Sequence, residues 1–162
     1  MRTPRRTAFA GDGSDPVTAA HVLAQQMLAD CPAIPVAPVK ATEVCRHEHV
    51  DVGRMKVDHR VPVYLSLGDS KRVKVGDPIR VPGHPSMFRR ARSRNISPWI
   101  GVPQFVVDCP IVRGNSSGPV LNASIEVIGI AVKGQGLPGR AGDDDALSRF
   151  VPIDFALDYL KG

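Results

Sequence analysis

Glycine and proline punctuate this chain too densely for long helices. Fifteen of each occur among its 162 residues, and they recur through the middle of the chain. Glycine loses the most backbone entropy in a regular element, and proline removes a donor and clashes with the preceding turn. Between them lie short apolar runs, such as Phe105-Val106-Val107 and Val127-Ile128-Gly129-Ile130-Ala131-Val132. Short apolar runs bounded by turn residues read as strands, so the expected class is all-β with hairpin connections. A hydrophobic share of 43% supplies a core. The length suits one domain or two small lobes around a cleft.

The order of elements follows from the same punctuation. Thr7 to Ala10 and Val17 to Ala20 read as a hairpin across Gly11 to Pro16, ending at His21. His21 to Leu28 is Ala/Gln/Leu-rich and reads as a short helix, after which Pro32, Pro35 and Pro38 enforce an extended segment. Strands are expected over 41–49, 50–57 and 61–65, and again after the Gly76-Asp77 turn. Later strands fall at 105–108, at 119–121 and 126–132 across Asn122-Ala123-Ser124, and at 150–153. Asp154 then caps a terminal helix from Phe155 to Lys161. A lobe boundary between Val61 and Ser70 divides the chain into residues 1–65 and residues 66–162.

Charge and cysteine usage exclude several function classes. The net charge is +5, concentrated in Arg2, Arg5 and Arg6 and in Arg89, Arg90, Arg92 and Arg94. No aromatic residue interleaves the second cluster, so the stacking part of a nucleic-acid site is missing. It reads as a solvated loop, and no nucleic-acid partner is expected. Cys31, Cys45 and Cys109 are odd in number and widely spaced, which is neither a disulfide framework nor a metal signal. His47 and His49 lack a third ligand at sensible spacing, and Asp143-Asp144-Asp145 lacks the EF-hand pattern, so no metal is expected. No apolar run is long enough to span a membrane and no signal-peptide core follows the basic start. As written, the chain is expected to be cytoplasmic.

Three segments carry chemistry. Gly114-Asn115-Ser116-Ser117-Gly118-Pro119 presents a hydroxyl on a glycine-flanked turn, with Ser116 centred between the glycines. Thr18-Ala19-Ala20-His21 presents an imidazole after a strand-like run. A serine hydroxyl is a weak nucleophile until a base takes its proton, so the two matter as a pair. Asp51, in Val50-Asp51-Val52, opens a strand and supplies a carboxylate to orient that base; Asp58 is its rival. His21 precedes Asp51 by 30 residues, and Asp51 precedes Ser116 by 65.

These segments fall in one recurring order with others. Thr7-Ala8-Phe9 and Val17-Thr18-Ala19-Ala20-His21-Val22 come first, then Asp51-Val52-Gly53-Arg54-Met55-Lys56-Val57. Leu67-Gly68-Asp69-Ser70 with Val75-Gly76-Asp77, Gly114 to Val120, Val127 to Ile130 and Phe150 to Asp154 follow. In this order, over nearly its whole length, the chain resembles the chymotrypsin-fold serine proteases, closest to the bacterial Deg-type trypsin-like peptidases.

That resemblance implies two small antiparallel β-barrels, a short C-terminal helix and no cofactor. It implies Ser116 as nucleophile, His21 as general base and then acid, and Asp51 as the group that holds the imidazole. The backbone N–H groups of Gly114 and Ser116 would form the oxyanion hole. Pro110 would stand at the base of the primary pocket, with Val132, Lys133 and Gly134 as its wall. With no acid there, the implied preference is for small or apolar residues in a polypeptide substrate. Several residues depart from the pattern. Ser117 stands where the family has glycine, Arg54 replaces an aliphatic, and the interval from Gly83 to Gly114 is short enough to expect a trimmed second lobe. Only six residues precede Thr7, so the N-terminal barrel is expected to lack its first strand and to offer an open edge for self-association. These departures carry the alternative reading, a catalytically inactive protease-like peptide-binding module.

Overall fold

The computed structural model describes residues 17–18, 41–47, 50–57, 65–82, 87–96, 103–108, 111, 116–133 and 148–160. Among these residues, the regular elements are nine strands, a 3-10 turn (Ser70–Arg72) and a C-terminal helix. In the first lobe, β1 (Val17–Thr18), β2 (Ala41–His47) and β3 (Val52–Val57) form an antiparallel sheet ordered β1-β3-β2. The first hairpin's other arm, the 21–28 helix and the 61–64 stretch lie outside the described residues.

The second lobe is a closed six-stranded barrel. Its strands are β4 (Pro78–Val81), β5 (Met87–Ile96), β6 (Pro103–Val107), β7 (Pro119–Leu121), β8 (Val127–Lys133) and β9 (Ser148–Pro152). They close in the order β4-β5-β6-β9-β8-β7. Two expectations are corrected here. The arginine run is strand, not loop: Arg89 and Arg90 pair with Ile79 and Pro78 of β4, and Arg94 pairs with Phe105 of β6. The barrel also closes on itself, with Arg80 opposite Leu121, so the short interval from Gly83 to Gly114 costs the second lobe no strand. Closure leaves no free edge among the described strands of this lobe.

β8 is buried on both faces, which explains its unbroken apolar sequence. Gly129 pairs with Val120, and Ala131 pairs with Phe150; Val120, Ala131 and Phe150 belong to the barrel interior, with Ile79, Val81, Phe105 and Ile128. Phe105 and Phe150 stack there, with centroids 4.8 Å apart. Ile130 and Val132, with Val127 on the far side of the bulge opposite Val120 and Leu121, join a second cluster on the outside of the barrel. That cluster contains Val151, Ile153 and Ala156, and also Val50 and Val52 of the first lobe. The helix α1 (Ile153–Leu160) packs against β8, β9 and β3. The outer face of β8 is therefore the surface on which the first lobe docks. Among the described residues, no helix is long and apolar enough to cross a membrane.

Candidate functional site

Asp51 occupies the turn that enters β3. Its φ is 58°, a left-handed conformation that aspartate tolerates better than most residues. The side chain is half-buried, while its neighbours Val50 and Val52 are fully buried. Burying both flanking valines against Ile130 and Val132 anchors the turn, so the carboxylate is carried on a fixed backbone rather than a loop tip.

Ser116 opens the turn before β7 and is half-buried, whereas Ser117 is fully buried. Of the two serines, Ser116 is the less buried. Two backbone bonds fix this turn to β8. Ser117 N–H donates to the Ala131 carbonyl at 2.7 Å, and Ala131 N–H donates to the Gly118 carbonyl at 2.9 Å. Ala131 adjoins Val132, and Val132 packs in the cluster that holds Val50 and Val52. One strand thus carries on its edge the turn with Ser116 and on its outer face the valines beside Asp51.

The other sequence-predicted residues divide cleanly. Val132 is buried on β8, and Lys133 ends that strand opposite Ser148. His21, Pro110, Gly114, Gly134 and the rival Asp58 lie outside the described residues, as do Cys31, Cys109 and His49. Arg54 is half-buried on β3, opposite Val17 and Cys45. Ser117 has a φ of 73°, the left-handed value that its glycine-like position called for. Its Oγ is buried with no hydrogen-bond partner among the described residues.

Sequence reasoning marked Gly118 only as a flank of the serine turn, and it missed Ala131 and the backbone bonds by which both anchor that turn. They act through backbone groups, so no side-chain signal marks them. It also missed Ser70, whose amide and hydroxyl both donate to Asp154 Oδ2, at 2.9 Å and 2.5 Å. This bond ties the start of the second lobe to the first turn of α1.

Comparison with known proteins agrees with this architecture. The trypsin-like peptidase domain family matches residues 7–130. A probable periplasmic serine endoprotease, DegP-like, from Pseudomonas putida (strain W619) is 34% identical over 116 residues, covering 67% of this chain and 24% of the relative. Its counterpart from Halomonas elongata is 35% identical over 128 residues, covering 74% of this chain and 26% of the relative. The chain spans about a quarter of the length of these curated relatives. Among solved structures, the HtrA-type protease AlgW with decapeptide superposes with a TM-score of 0.78 at 18% identity, over 99% of this chain and 52% of that one. The closed barrel, the docked first sheet, the short terminal helix and these matches together place the chain in the trypsin-like peptidase family, with the chymotrypsin-like fold of its Deg-type members.

Proposed function

We propose that this chain is a serine endopeptidase domain that hydrolyses polypeptides through Ser116, His21 and Asp51. The observation that supports it best is the sharing of β8: the turn bearing Ser116 and the valines flanking Asp51 are both seated on residues 130–132. His21 is the base. It takes the Ser116 proton as Oγ attacks the peptide carbonyl, then returns it to the leaving amine. Asp51 holds the imidazole in the required tautomer and stabilises the imidazolium. The N–H groups of Gly114 and Ser116 receive the developing oxyanion. Water activated by His21 then frees the acyl group from Ser116. No step requires a metal or an organic cofactor.

Substrate is gripped as an extended strand along Val132, Lys133 and Gly134, with Pro110 at the floor of the primary pocket. A pocket without an acid selects small or apolar side chains before the scissile bond. Residues 1–65 carry His21 and Asp51 and residues 66–162 carry Ser116, so the cleft between the two segments is the active site.

The test is digestion of an unfolded polypeptide, with new termini read by mass spectrometry. Cleavage after small or apolar residues is expected, lost in Ser116→Ala and His21→Ala. The rate should fall as pH drops through about 6–7, because a protonated imidazole cannot accept the serine proton. Peptide binding without any cleavage by the folded chain would contradict the reading and leave a binding module in its place.

A further inference from the structure

Three properties meet at Ser117. Its backbone lies in the left-handed region, with a φ of 73°, where a Cβ crowds the following carbonyl. Its side chain is 0% exposed. Its Oγ has no hydrogen-bond partner among the described residues, so the hydroxyl carries its desolvation cost uncompensated. A flip of the Ser116–Ser117 peptide that brought φ negative would relieve the strain. Opposing that flip is the bond from Ser117 N–H to the Ala131 carbonyl, which the flip would break. β8 thus holds the turn in one arrangement while the turn's own second residue pushes it toward another.

The flip changes ψ at Ser116 and so re-aims the Ser116 side chain. We propose that Ser117 is a positioning residue that throttles acylation at Ser116, by keeping part of the population in a turn arrangement from which Ser116 cannot attack. The inference rests on the assignment of Ser116 as nucleophile. A rate that requires one of two arrangements is scaled by that arrangement's population, and removing the penalty raises it without any new contact to substrate. The hydroxyl of Ser117 itself takes no part in the chemistry.

Two substitutions separate the causes. Ser117→Gly removes the strain and the orphan hydroxyl; Ser117→Ala removes the hydroxyl and keeps the Cβ. Ile125→Gly is the control, since Ile125 is also left-handed, with a φ of 65°, but lies in the β7–β8 hairpin. Kinetics on a cleaved peptide, the rate of inactivation by a fluorophosphonate and thermal melting are measured on all three with the full chain. Ser117→Gly is expected to raise kcat and the inactivation rate about threefold to tenfold with KM within about twofold, and to raise Tm by a few degrees. Ser117→Ala should fall between it and the wild type. Ile125→Gly should raise Tm and leave kcat per folded molecule unchanged, which separates positioning from general stabilisation.

An unchanged or lower kcat in Ser117→Gly overturns the proposal, as does loss of activity in Ser117→Ala, which would mean the hydroxyl is used. If Ser117→Gly does not melt cooperatively, Ser117→Ala decides alone: a rise supports the throttle and no rise overturns it. Wild type unreactive but Ser117→Gly reactive supports it in its strongest form. No Ser116-dependent reaction in the wild type, in Ser117→Gly or in Ser117→Ala overturns the nucleophile assignment itself, and the throttle with it.

Discussion

Gly129 shows how single positions set the barrel's limits. A Cβ built there would lie 2.3 Å from Phe150 Cδ2 and 2.7 Å from the Val151 carbonyl. The ring is stacked on Phe105 and the carbonyl is backbone, so neither can yield cheaply. Gly129→Ala is therefore expected to cost about 1–3 kcal/mol, as overpacking does; urea denaturation that shows no loss would contradict the packing described. Legibility at this scale was uneven. The glycine-flanked serine turn and its odd Ser117 stood out in the sequence, because the residue types are rare in that pattern. The role of Gly129 did not, since it depends on Phe150, a partner 21 residues away that only pairing of β8 with β9 supplies.

Among elements, the Ser70–Asp154 bond joins parts of the chain 84 residues apart. Ser70 heads a 3-10 turn over Ser70–Arg72, and Asp154 stands in the first turn of α1, where a carboxylate also favours the helix dipole. Ser70 is 4% exposed, so losing its hydroxyl strands part of the carboxylate's bonding inside. Ser70→Ala is expected to destabilise by about 1–3 kcal/mol, read by thermal melting; a neutral result would show the clasp to be incidental. The sequence marked Asp154 as a helix start through local chemistry, but a bond at that separation leaves no local trace. β5 was illegible for the opposite reason. Its arginines break the apolar alternation on which strand recognition depends, and pairing with β4 and β6 overrides that weak signal. β8, by contrast, was readable because burial on both faces leaves an unbroken apolar run.

At the level of the whole molecule, one cluster holds the lobes together. Val50 and Val52 pack with Ile130, Val132, Ile153 and Ala156, so the position of Asp51 relative to the barrel depends on this contact. Val52→Ala removes two buried methyl groups and should cost about 2 kcal/mol of stability. It should also slow peptide hydrolysis per folded molecule, because Asp51 loses its seat. Val81→Ala, in the barrel interior, should cost about as much stability and leave the rate unchanged. Equal rate losses in the two variants would mean that the interface does not position the site.

The two-lobe plan and the order of its motifs were legible because turn chemistry and apolar runs are local. The docking of Val50 and Val52 on β8 was not, because both faces of that strand look alike in sequence. The most direct measurement is labelling of the folded chain with a fluorophosphonate, followed by mass spectrometry of the modified peptide. One adduct per chain is predicted, on Ser116, absent in Ser116→Ala and strongly reduced in His21→Ala and Asp51→Asn. An adduct that persists in Ser116→Ala, or folded protein that takes none, would contradict it.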